Sequence, residues 1–187
     1  MSGVRTWKCF KKAHLMFQEN EPEAPRPSSR LGANVTSAEP GASIRKYRPG
    51  DSEAVIAACE RSAEAAQWSA ESYDHAASSG QIVLLVEVGG KIAGFLVARV
   101  IRGEAEILNL AIDPPQRRKG LAKKLLSEML AQAKEKGADR VFLEVRASNH
   151  AAISFYGNHG FRSVGKRAAY YCAPVEDALI MEKKITA

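Results

Sequence analysis

Residues 104–145 read EAEILNLAIDPPQRRKGLAKKLLSEMLAQAKEKGADRVFLEV, and this stretch decides the fold. Glu104 to Ile112 has the composition of a strand. Asp113-Pro114-Pro115 ends it, because proline removes ladder donors. Leu121, Leu125, Leu126, Met129, Leu130 and Ala133 then recur at helical spacing, with Lys123, Lys124, Glu128 and Lys134 between them. Gly137 takes the C′ position that stops such a helix. Val141 to Val145 follows as a second strand, apolar and β-branched. A strand–helix–strand crossover of this kind makes its two strands parallel.

Working outward, Ile82–Val88 and Lys91–Ile101 are strands joined by the hairpin turn Gly89-Gly90. Arg102-Gly103 turns the chain into Glu104, so three consecutive strands form an antiparallel meander. Upstream, Ser43 to Arg48 reads as a short strand and Pro49-Gly50-Asp51 as a turn. Asp51 is expected to cap a helix running to about Ala66. Ser69 caps a second short helix. Downstream, Asn149 caps a helix that ends before Gly160. Two strands remain, roughly Phe161–Tyr171 and Ala178–Ile185. The class is α/β in the α+β sense: a mixed, mostly antiparallel sheet flanked by helices.

The chain has 187 residues, 45% hydrophobic and 26% charged, which fits one globular domain. A net charge of +6 favours acidic partners (nucleic acid, a phosphorylated cofactor, an anionic surface) or marks a solvated basic face. Three cysteines, Cys9, Cys59 and Cys172, lie far apart with no C-x-x-C spacing. Neither a disulfide framework nor a zinc site is expected, and no metal is called for. No apolar run approaches the roughly 20 residues that span a bilayer, and no secretory signal is visible, so the expected location is the cytoplasm. Residues 1–42 read as a flexible tail before a domain at 43–187. Glu19 to Gly41 carries Pro22, Pro25, Pro27 and Pro40 and few large apolar groups. Trp7 to Phe17 reads as a disordered extension, a docking segment or a targeting piece.

Two constellations carry chemistry. Gln116-Arg117-Arg118-Lys119-Gly120-Leu121-Ala122 sits between a strand and a helix start. A helix N-terminus leaves N–H groups without partners and binds anions, phosphate in particular. Gly120 and Ala122 leave that backbone uncovered. Alone, the segment is equally an ordinary basic helix start. It matches neither G-x-x-x-x-G-K-[ST] nor G-x-G-x-x-G. The second constellation is Leu143-Glu144-Val145-Arg146-Ala147-Ser148-Asn149, with Tyr156 and Gly160-Phe161 beyond it. A carboxylate at a strand end is suited to general-base work, and a phenol with a pKa near 10 to protonating a thiolate of pKa about 8.5. Each residue also has a plain structural reading. Glu144 pairs with Arg146 or Arg140, Asn149 caps a helix, and Tyr156 packs in the core.

In combination the motifs resemble the GNAT acetyltransferase superfamily. Arg117-x-x-Gly120-x-Ala122 resembles that family's pyrophosphate-binding motif, [QR]-x-x-G-x-[GA]. The pattern E-V-R-x-S-N-x-x-A-x-x-x-Y-x-x-x-G-F resembles its RimI branch, the ribosomal-protein-alanine N-acetyltransferases. The likeness runs from about Ser43 to Ile185. Gln67 stands where the branch has a proline before Trp68-Ser69, and Cys172 stands where a proline is common.

The resemblance implies a splayed parallel strand pair and direct transfer from acetyl-CoA to an amine, with coenzyme A as product and no covalent intermediate. It implies Glu144 as base and Tyr156 as acid. Cofactor contacts would come from Leu110, Ala111, Ile112, Arg117, Arg118, Lys119, Gly120, Leu121, Ala122, Asn149 and Tyr156. The acceptor would meet Trp68, Asn109, Glu144, Tyr170, Tyr171, Glu176 and Asp177, the last two as acidic side chains suited to a basic peptide. Cys172 is read as structural. The implied acceptor is a protein N-terminus, the N-terminal alanine of a small-subunit ribosomal protein. Neither nucleic acid nor membrane is an implied partner, and the chain is expected as a monomer or weak dimer. Lysine side chains or small amines are the alternative acceptors. A non-catalytic acetyl-CoA sensor or ribosome-binding module is the alternative class.

Overall fold

A computed structural model describes residues 41–62 and 65–185. The expected tail, apart from its last two residues, lies outside the described residues, as does Cys9. The elements in order are β1 (Ala42–Lys46), α1 (Ser52–Glu60), α2 (Ala70–Ser78), β2 (Ile82–Val88), β3 (Lys91–Ile101) and β4 (Glu104–Ile112). A short 3-10 turn (Pro114–Gln116) follows, then α3 (Leu121–Glu135), β5 (Arg140–Arg146), α4 (His150–Asn158), β6 (Arg162–Cys172) and β7 (Val175–Lys184). One seven-stranded sheet forms in the order β1-β2-β3-β4-β5-β7-β6. Only β4 and β5 pair in parallel, as the crossover requires; the other neighbours are antiparallel.

The period-2 alternation of β2 and β3 splits the core. Leu84, Val86 and Leu96 face one side, where Leu125, Leu126 and Met129 of α3 and Tyr156 of α4 cover them. Val83, Leu85, Phe95 and Val97 face the other, under Val55 and Cys59 of α1 and Tyr73 and Ala76 of α2. Strands buried on both faces read as continuous apolar runs, which is why β2 and β3 stand out in the sequence.

Two local expectations are corrected. Helix α1 ends at Glu60, not near Ala66, because Ser62 turns inward and its hydroxyl donates to the Ile112 carbonyl at 3.3 Å. Asp51 makes no side-chain cap. Its carboxylate is taken instead by the Arg45 guanidinium at 2.7 and 2.8 Å and by the Arg48 N–H at 2.7 Å. Ser69 and Asn149 do cap their helices, accepting from Ser72 and Ala152.

The decisive irregularity lies in β4. Asn109 pairs with Val97 and Ile107 with Ala98, so Leu108 is an extra residue in its strand. A bulge bends its strand and sharpens its twist. The parallel ladder with β5 accordingly ends at Ile107–Leu143. Beyond it, β4 stays with β3 as far as Ile112, and β5 stays with β7 as far as Arg146. The two strands part and leave a cleft between them. Gly94 allows the close β3–β4 approach on the other side. A Cβ there would stand 2.5 Å from Ile112 Cδ1 and 2.6 Å from the Ala111 carbonyl oxygen. Gly94→Ala should therefore destabilise the fold by about 1–3 kcal/mol through overpacking. Urea unfolding of the variant beside wild type measures it, and a shift below about 0.3 kcal/mol would contradict this packing.

Candidate active site

The cleft is bordered on the β4 side by the turn into α3. Arg118 and Gly120 both have left-handed backbone, φ +66° and +77°. Gly120 is the N-cap of α3 and offers no side-chain cap. The first helical bond there is the Lys124 N–H to the Gly120 carbonyl, 3.1 Å. The amides of Leu121, Ala122 and Lys123 thus stand ahead of the helix ladder at its positive end, the arrangement that suits a phosphate. Arg117 is aimed inward: its Nε donates to the Ile112 carbonyl at 3.1 Å. Lys119 donates to the Gln116 side chain at 3.2 Å. Two side chains expected as loose charges around an anion therefore also hold the loop together.

The β5 side presents Glu144, the last-but-two residue of its strand. Its side chain is 17% exposed and lies 3.0 Å from the Arg167 guanidinium of β6. This corrects the sequence-based pairing: Arg146 and Arg140 are engaged elsewhere, with Glu176 and with Asp139 and Glu182. No sequence signal pointed to Arg167. Only the register, Glu144 opposite Ile180 and Ile180 opposite Gly165, brings it close. Burial first, and the nearby Glu144 carboxylate second, hold the Tyr170 phenol well above the usual range.

Tyr156 projects from α4 into the core, packed edge-on against Phe155 and Phe161. Burial pushes its phenol far up as well, with the neighbouring Tyr171 adding to the shift. It stays protonated at neutral pH. Asn149 spends its side-chain oxygen on the Ala152 N–H at 3.0 Å.

Residues 65–69, between α1 and α2, lie against the end of β4. Asn109 is 6% exposed. Its amide nitrogen donates to the Ala66 carbonyl at 2.8 Å, and its oxygen accepts the Ala66 N–H at 3.3 Å. Asn109 thereby pins this segment onto β4. Trp68 lies against Tyr73, ring centroids 5.5 Å apart. Arg61 bridges to Asp113 at 2.7 Å. The Ile112 carbonyl thus accepts from Ser62 on one side and Arg117 on the other.

The β6–β7 hairpin forms the far wall. Glu176 and Asp177 were expected to attract a basic peptide, yet both are committed within the hairpin. Glu176 accepts the Ser148 N–H at 2.6 Å and pairs with Arg146 at 3.0 Å. Asp177 pairs with Lys166 and accepts the Ala169 N–H at 2.7 Å. Arg146 lies over the Tyr171 ring, 4.1 Å from its centroid. Tyr170 and Tyr171 meet edge-on beside it. Cys59 is a buried free thiol. Among the described residues no three His, Cys, Asp or Glu side chains cluster as a metal site would need.

A parted parallel strand pair, with an open helix N-terminus at its head and a carboxylate at its edge, is the arrangement of this cleft. Residues 51–161 match the model of the Acetyltransferase (GNAT) family, and the chain belongs to that family. It is 36% identical over 131 residues to the [ribosomal protein bS18]-alanine N-acetyltransferase of Escherichia coli K12, covering 68% of this chain and 87% of that protein. The crystal structure of the E. coli ribosomal-protein-S18-alanine N-acetyltransferase superposes with a TM-score of 0.70 at 31% identity, over 78% of this chain and 95% of that one. That of Ard1 from Thermoplasma volcanium gives 0.71 at 27% identity, over 79% and 99%.

The hairpin carboxylates set a pH dependence. Hydrogen bonding, from Ser148 to Glu176 and from Lys166 to Asp177, lowers both below the ordinary carboxylate range. A lowered folded-state value contributes stability that is complete above the unfolded value, near pH 4, and is lost as pH falls through the folded one. The hairpin should loosen in acid, seen as lower amide protection factors (exchange measured against the intrinsic rate at each pH) in 162–184 below about pH 4. Glu176→Gln with Asp177→Asn should flatten that dependence; an unchanged acid profile in the double variant would refute the assignment.

Proposed function

We propose that this protein transfers the acetyl group of acetyl-CoA to the N-terminal α-amino group of a protein, the alanine of a small-subunit ribosomal protein being the acceptor favoured. The observation that carries the reading is Glu144. Its carboxylate stands on β5 just past the point where the ladder with β4 ends at Ile107–Leu143. The likeness to the bS18-alanine enzymes supports the acceptor class.

The residues fit the carrier. The uncapped amides of Leu121 and Ala122, with Gly120 in left-handed backbone, suit its pyrophosphate. Backbone amides near Ala111 and Ile112, released by the splay, suit the thioester oxygen and its developing charge. Acetyl-CoA supplies a thioester carbon open to attack by an amine. The N–C bond forms as the C–S bond breaks.

An α-amine has a pKa of about 7.7–8.0, so only a modest cost separates ammonium from nucleophile at neutral pH. Glu144 takes the amine proton, directly or through water. Tyr156, kept protonated by burial, donates a hydrogen bond to the departing sulfur. The burial that protects its proton also makes it a weaker acid, so charge stabilisation is its main service. Trp68, Tyr170 and Tyr171 line the acceptor side. With Glu176 and Asp177 neutralised in the hairpin, the aromatic surface and Glu144 rather than acidic steering select the peptide. We place the reaction in the cytoplasm; no helix among the described residues is long and apolar enough to cross a membrane.

Coenzyme A release with an alanine-starting basic peptide tests the reading, its N-terminally blocked twin serving as control. Release should require the free N-terminus and fall by about 10²–10⁴-fold in Glu144→Gln and in Tyr156→Phe. Equal release from the blocked, lysine-bearing twin would move the acceptor to side-chain amines.

A further inference from the structure

The base carboxylate is already paired. Arg167 Nε lies 3.0 Å from Glu144 Oε1, and the guanidinium lies near the Tyr170 ring, 5.6 Å from its centroid. This contact is built by an irregularity. In a regular strand, residues three apart point to opposite faces. Arg167 nevertheless meets Glu144 with the Tyr170 ring beside it, because the β6 register breaks between Arg167 and Tyr171. Ala169 sits in that break with φ +49°, a left-handed backbone that a non-glycine residue adopts only when held. Asp177 holds it through the Ala169 N–H, and Lys166 holds Asp177. The other nearby cation, Arg146, is directed to Glu176, Tyr171 and the carbonyls of Ala173 and Pro174.

A bare carboxylate at the acceptor end would have a drawback. At pH 7 about nine in ten α-amines are ammonium ions. Such an ion would settle on the carboxylate as an ion pair. The bound ground state would gain stability that the transition state, with a neutral attacking nitrogen, does not share. Binding of that kind lowers KM and kcat together without raising kcat/KM.

We propose that Arg167 is a positioning residue that fills the cation seat on Glu144, so that the acceptor amine is not trapped there as an ammonium ion and meets the thioester neutral. The inference rests on Glu144 as the base of the α-amine reaction proposed above. Arg167 touches neither carrier nor acceptor in this role; it acts through Glu144.

The test compares wild type, Arg167→Met and Arg167→Lys by calorimetry at pH 7 in saturating coenzyme A. The ligands are the alanine-starting peptide and its desamino twin, in which a propionyl group replaces the alanine. Wild type and Arg167→Lys should bind the two within about threefold of each other. Arg167→Met, keeping the stem and losing the charge, should bind the amine-bearing peptide about tenfold or more tightly than its twin. Its KM and kcat should fall together, with kcat/KM held within about threefold. A merely structural arginine would weaken both ligands alike. An unchanged amine-to-desamino ratio in Arg167→Met, in an enzyme whose wild type acetylates the peptide, overturns this inference alone. Failure of wild type to release coenzyme A with the peptide overturns the acetylation reading, and this inference with it.

Discussion

One extra residue, Leu108, sets the architecture of the site. Inserted in β4 opposite Val97 and Ala98, it ends the parallel ladder after four pairs, Glu104–Arg140 to Ile107–Leu143. A sheet interior normally satisfies every backbone group. Here β4 stays with β3 and β5 stays with β7, so the sheet stays intact on both flanks while its centre opens. The groups left over in the gap are those an acyl carrier can use. The packing on either side keeps the gap from closing: α3 covers one face, and α1 and α2 cover the other.

Around that gap, most charge is already spent on positioning. Arg61 holds Asp113, Ser62 and Arg117 share the Ile112 carbonyl, and Asn109 fixes Ala66. These bonds lash the loop on each side of the cleft to the end of β4. The far wall is tied in the same way, by Arg146–Glu176 and Lys166–Asp177. Partly exposed pairs of this kind add little stability individually. Their value is geometric, because a displacement of about 1 Å at a reacting centre is costly to rate.

Much of this was legible in the chain. The boundaries of β2 and β3 follow from apolar runs between glycine turns, since strands buried on both faces need such runs. The crossover around α3 follows from the 3.6-residue spacing of Leu121, Leu125, Leu126 and Met129. The candidate residues Gly120, Glu144, Asn149 and Tyr156 were named from motif spacing, because helix starts and strand ends are local features. The sequence pattern alone extends helix α1 too far, since the inward turn of Ser62 depends on a carbonyl fifty residues away.

By itself the sequence determined the elements, the parallel crossover and the helix start that offers its amides, because each depends on residues within a few turns of one another. Tertiary structure alone decided which charges meet. The insertion of β7 between β5 and β6, and the break in β6 at Ala169, bring Arg167 and Tyr170 to Glu144 and tie Glu176 and Asp177 into the hairpin. Side-chain charge carries no label for its partner. Strand order and register assign partners, and they are set by burial across the whole sheet rather than by any local run of residues.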